Sequence, residues 1–307
     1  MAKKKRCTLN SNNPAKGPIA RKIIAAVKMQ VQKKVTSLAD WKAGTQYAEE
    51  LQKTIISDDN LAKHDPLHAA YVYGQNQLSV LIEQIIDLPM LEKLANVYAE
   101  AQEEYTPSGP PISSITASFF TCWGSFDLCS RGAKMETLAS ISIDVSKALN
   151  VNDRLIRLYE TMQASRMGIY VHEGVSDNLL LLRELLTGQK VKATCPSGYL
   201  GHAGEIWYAR ILPPLEDLPD IDYSVVFTTP YVLGRGSKTS QFVPAQESDW
   251  LAYFDRNLGK FEAESKELAY EHLMKYGPSR TYWCEYVFLA YRNHRADMIY
   301  LDGIPDI

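Results

Sequence analysis

Apolar residues recur at four-residue steps from Ile19, through Ile23, Val27, Val31 and Val35, with Lys22, Lys28 and Lys33 between them. That spacing predicts an amphipathic basic helix, opened by Pro18 because a first helical turn tolerates proline. A second stripe of Leu38, Trp41, Thr45, Ala48, Leu51 and Ile55 predicts another helix from about Ser37. Asp65 and Pro66 form an N-cap and first-turn pair for a third helix, striped by Leu67, Ala70, Gly74, Leu78, Leu81 and Ile85. Leu88-Pro89 breaks the pattern, and a fourth helix follows through Leu91, Leu94, Ala95, Tyr98 and Tyr105. Short connections favour antiparallel neighbours, so the four predict a bundle. Residues 133–149 and 152–165 carry further helical patterns, while Ile112–Ser130, rich in Ser, Thr and aromatics, fits no single period.

The period changes at Gly168. Ile169–Val171, Leu179–Leu182, Lys190–Thr194, Glu205–Leu212 and Tyr223–Leu233 are short runs bounded by Gly, Pro and Asp. Lys190, Lys192 and Thr194 alternate with Val191, Ala193 and Cys195, as in a strand with one wet face. An acidic linker, Pro213–Asp222, joins the last two runs. Helical spacing resumes at Ser248 through Leu251, Phe254, Leu258, Phe261 and Leu268, and Gly277-Pro278 stops it. A last helix holds Tyr282, Trp283, Tyr286 and Val287, and Met298–Leu301 is a short apolar run that suits an edge strand.

These patterns predict an α+β fold: an N-terminal helical bundle, a small antiparallel β-sheet or partly open barrel, and C-terminal helices packed on it. The expected organisation is a basic flexible tail over 1–17, a helical domain over 18–165, and an α+β domain over 166–307. In that last domain the β module spans about 168–235 and the helices about 248–295.

Charge refines the picture. The first 42 residues carry eleven Lys or Arg against one acid, Asp40, whereas the remaining 265 carry 22 bases and 35 acids. A basic head on an acidic body is suited to a polyanion, and the acidic body opposes broad coating of nucleic acid or membrane. Five cysteines form no C-x-x-C pair and are odd in number, which argues for a reducing cytoplasmic setting rather than a disulfide framework. The longest uncharged stretch, Thr106–Phe126, is too polar and proline-broken to span a bilayer. The opening residues lack the apolar run of a secretory signal.

Candidate chemistry is sparse. Lys3, Lys4, Lys5, Arg6, Arg21, Lys22, Lys28, Lys33 and Lys34 form a stripe able to neutralise phosphates, although a solvated helix face is the commoner meaning of such a run. Cys195, His202 and Glu205 place a thiol, an imidazole and a carboxylate within eleven residues, with His172 on an earlier strand able to approach them. The same glycine- and proline-rich loop suits a long hairpin turn, and Pro196 offers no amide to an oxyanion. Gly234–Thr239 resembles the end of a phosphate loop, but Ser237 separates Gly236 from Lys238 and the first glycine is missing. His64 and His68 are split by the helix start at Asp65-Pro66, and no metal or cofactor is expected. Tyr282, Trp283, Tyr286 and Arg292 are residue types enriched at binding hot spots, and also at home where a helix packs on a sheet.

Three readings follow. The leading one is a non-enzymatic protein-interaction or regulatory protein with an unknown protein partner. The alternatives are a nucleic-acid-associated protein binding phosphate backbone through its basic N-terminus, and a hydrolase or transferase built on the Cys/His/Glu cluster.

Overall fold

A computed structural model of the chain describes residues 17–31, 57–107, 113–131, 134–236 and 242–305. The helix expected from Ser37, the phosphate-loop-like lysine Lys238, and the basic residues Lys3, Lys4, Lys5, Arg6, Lys33 and Lys34 lie outside those residues.

The helical front contains α1 (Pro18–Val31), α2 (Asp58–Leu61), α3 (Pro66–Ile85), α4 (Glu92–Tyr105), α5 (Ala117–Cys122), α6 (Leu138–Ala148) and α7 (Asp153–Ala164). Their starts are set by local chemistry. The Asp65 carboxylate accepts from the amides of Leu67 and His68 at 3.0 and 3.1 Å, with Pro66 in the first turn. Thr137 and Ser140 form a reciprocal capping box at α6, and Asn152 caps α7. The stretch that fitted no single period becomes α5 followed by one π-helical turn, Trp123–Asp127. Such turns insert an extra residue and re-aim side chains. Here the turn carries Asp127 into the interior.

The β module comprises β1 (Met167–Ser176), β2 (Leu179–Glu184), β3 (Lys190–Thr194), β4 (Ile206–Leu212), β5 (Ser224–Val226), β6 (Tyr231–Gly236) and β7 (Phe242–Pro244). It is followed by helices α8 (Glu247–Asn257), α9 (Lys266–Tyr276) and α10 (Tyr282–Leu289), then strands β8 (Tyr291–His294) and β9 (Ile299–Asp302). A hairpin turn at Asp177 and Asn178, both at positive φ, joins β1 to β2. β1 pairs antiparallel with β2 and β4, β2 with β3, and β4 with β5, while β3 and β5 pair in parallel. These five strands close into a barrel, and one pair in it is parallel where an all-antiparallel module was expected.

The sheet continues past the barrel through β6, β9 and β8. The Met298–Leu301 run was expected at an edge. It lies instead between β6, its parallel neighbour, and β8, its antiparallel one. Its alternation explains the position: Ile299 and Leu301 pack into one core, and Met298 and Tyr300 into another, so both faces are covered.

Period-two alternation also divides β4. Trp207 and Ala209 fill the barrel with Leu180, Leu182, Ala193 and Val226, whereas Ile206 and Tyr208 face the helices. That outer core is continuous from Ala20 and Ile23 of α1, through Phe119 and Leu138, to Trp250, Tyr270 and Trp283 of the C-terminal helices. Helices α1, α4 and α5 thus share one cluster with the C-terminal helices, while α3 and α7 bury Leu67, Tyr71, Leu78, Ile156, Tyr159 and Met162 in a second one. No helix among the described residues is long and apolar enough to cross a membrane.

Candidate functional site

The long connection from β3 to β4 folds over one end of the barrel and organises a polar cradle around Glu205. The Glu205 carboxylate accepts from the Tyr199 hydroxyl at 2.9 Å and from the Trp207 indole N–H at 2.8 Å. His202 Nδ1 lies 3.2 Å from Oε1 of the same group. Gly201, at φ +59°, makes the close approach possible: a Cβ there would sit 2.5 Å from the Trp207 ring and 2.7 Å from Glu205 Oε2. The carboxylate is buried, yet the His202 side chain is 86% exposed. A carboxylate on Nδ1 orients the ring and leaves Nε2 facing solvent.

His172 stands beside this cradle in a different role. Its Nδ1 accepts from the Gly174 amide at 3.2 Å, so Nε2 carries the proton and donates to the Leu200 carbonyl at 2.8 Å. Burial lowers its pKa, more than its polar neighbours restore it. With both nitrogens engaged, the neutral ring ties the loop to β1.

Cys195 is not joined to this set. Its Sγ lies 3.3 Å from Ser197 Oγ, and burial pushes the thiol pKa up. A nucleophilic cysteine needs a lowered pKa and a base on the sulfur. The loop thus brings together His202, Glu205 and, through the backbone, His172, while the thiol bonds elsewhere. No group of three or more His, Cys, Asp or Glu suited to a metal occurs among the described residues. His64 and His68, split by the helix start, nevertheless bring their rings edge to face with centroids 5.0 Å apart.

Of the basic stripe, Arg21, Lys22 and Lys28 are exposed on α1. The Glu136 carboxylate accepts from the amides of Ile19 and Ala20 at 3.0 and 2.9 Å, which favours an acid at this helix start. Gly17 allows that approach, because a Cβ would fall 2.0 Å from the Glu136 carboxyl carbon. Glu136 therefore serves the backbone of α1. Among the described residues, no carboxylate lies within 4.0 Å of any of the three cations.

The C-terminal aromatics are mainly core. Tyr282, Trp283 and Tyr286 are buried, with polar ends on the Tyr253 hydroxyl, the Leu273 carbonyl and the Gly303 carbonyl at 2.8, 2.7 and 3.0 Å. Arg292 pairs with Asp302 at 2.9 Å across the β8–β9 hairpin. The edges of Tyr282 and Tyr286 nonetheless wall a cleft of about 330 Å³, shared with Glu285, Leu289, Ile304 and Pro305. Leu289 at its mouth is 73% exposed.

One further polar cluster joins residues far apart in the sequence. Asp127, at the end of the π-turn, pairs with Arg210 of β4, and Lys275 of α9 lies 3.7 Å from its other oxygen. Arg210 and Lys275 both donate to the Ser165 carbonyl, at 3.0 and 2.7 Å. Next to them Arg166 bridges Glu184 and Glu271 at 2.6 and 2.5 Å. Burial lowers the Lys275 pKa to about 8 and pushes that of Asp127 upward against its cationic neighbours. The available signal was Asp127 itself, the single charge between Glu104 and Arg131.

No family model, curated protein or solved structure matches the chain.

Proposed function

We propose that the chain is a protein-binding module that engages its partner through the cleft at the end of α10. The observation that carries this reading is Leu289. It is a large apolar side chain held in water at the rim of a concavity, where hydrophobic exposure serves recognition. Asp302 in the lining is paired with Arg292, which leaves Glu285 as the acid the cleft offers, so the fitting partner presents an apolar side chain beside a Lys or Arg. Peptides of that composition are expected to bind in the micromolar range in fluorescence anisotropy, with Leu289→Asp weakening them about tenfold or more. Absence of saturable binding, together with no adduct from a photo-crosslinker at position 289 in cells, would sink the reading.

Arg21, Lys22 and Lys28 favour a second reading, attachment to nucleic-acid phosphates through the basic N-terminus. Retention on heparin or duplex DNA should then fall with salt and with reversal of these three charges. Equal, negligible retention of wild type and variant removes it. The hydrolase or transferase reading draws little support, because the thiol is bonded to Ser197 and its pKa is raised.

A further inference from the structure

The two most exposed large apolar side chains among the described residues are Leu289, at 73%, and Met29 of α1, at 70%. They sit in opposite electrical settings. Met29 follows Lys28, and the exposed face of α1 holds Arg21, Lys22, Ala25 and Ala26 without an acid. Leu289 borders Glu285, which is exposed and has no cation within 4.0 Å among the described residues.

We infer that α1 of one chain docks into the α10 cleft of a second copy, Met29 entering beside Leu289 and Lys28 meeting Glu285. This rests on the cleft reading above and names its partner. Small apolar residues interleaved with cations suit a protein surface better than a phosphate backbone, which gains nothing from Ala25, Ala26 or Met29. The opposed charges of head and body steer the two faces together. The two patches differ, so the contact is heterologous and runs head to tail, giving a ring if the rotation closes and an open chain if it does not. One helix face seated in one cleft makes a small interface, so the association is weak and salt-sensitive.

The test is sedimentation of the full chain across concentration at about 0.05 and about 0.5 M salt, with Leu289→Asp, Lys28→Glu and Glu285→Lys. All three positions are exposed, and thermal melts will verify that the variants fold. The wild type should self-associate at low salt, and each variant should weaken this about tenfold or more. Mixing Lys28→Glu with Glu285→Lys should restore assembly, because every contact between unlike chains again pairs opposite charges. A chain that stays monomeric, or an oligomer indifferent to all three substitutions, overturns the inference. If the chain is monomeric while peptides still bind at Leu289, only the choice of partner has failed. If neither occurs, the cleft reading fails with it. Loss of heparin retention by Lys28→Glu with assembly unchanged would assign α1 to nucleic acid and overturn the self-docking.

Discussion

Two buried carboxylates in this molecule meet opposite solutions to the same problem. Glu205 is surrounded by neutral donors and one exposed imidazole, and both its oxygens are satisfied. Asp127 lies among full charges, and its partner Arg210 is 1% exposed. Even so, Arg210 Nε and the nearby Tyr208 hydroxyl find no hydrogen-bond partner among the described residues. A carboxylate held by dipoles stabilises one loop. A carboxylate held by ions from the π-turn, β4 and α9 fixes how three parts of the chain meet, at a larger desolvation cost. The difference separates a local clamp from a junction.

The strongest way to break the comparison is to remove one partner at the junction. Asp127→Asn leaves Arg210 buried without its counter-charge and should destabilise by about 3–5 kcal/mol in urea unfolding. A loss near that of an ordinary polar substitution would mean the junction is dispensable. At the clamp, Trp207→Phe removes one donor to Glu205 while filling most of the volume, and a cost of about 1–3 kcal/mol is expected. Proteolysis of the 196–204 loop should become faster in that variant, and unchanged protection would contradict the clamp.

Titration sharpens the contrast further. Burial holds Lys275 near 8 in the folded chain against 10.5 ordinarily, so between those values the unfolded chain binds more protons. Stability from this group therefore rises with pH across that window, is complete above it, and is lost as pH falls through about 8. Lys275→Met should abolish this slope relative to wild type in denaturant midpoints taken at successive pH values; parallel curves would refute the assignment. The smallest effect belongs to His202. Because its ring is almost wholly in solvent, His202→Ala should change stability by less than about 0.5 kcal/mol, and a larger loss in thermal melting would show that the exposed ring also braces the loop.

The sequence made some of this architecture legible and hid the rest for identifiable reasons. Asp65-Pro66 starts a helix through contacts within three residues, so its signal is local. The alternation of Lys190, Lys192 and Thr194 with their apolar neighbours marked β3 for the same reason. Barrel closure depends on Ala193 and Thr194 pairing with Ser224 and Val225, and no local periodicity records a pairing across thirty residues. Cys195, His202 and Glu205 lie within eleven residues of sequence, but which of them bond was decided by Tyr199, Trp207 and Ser197. Those residues looked like loop and strand filler. Asp127 stood alone in its segment, while its partners arrived from 83 and 148 positions away, a distance that sequence spacing cannot report.

The placement of β9 has a consequence for how the chain is made. It inserts between β6 and β8, and its partners at Tyr231–Gly234 are synthesised nearly seventy residues earlier. Until β9 is made, the edge of β6 that it covers has no partner among the described strands. Pairing across such separations is slow because loop closure precedes any reward from contacts. An edge left unpaired over that interval is a template for another strand.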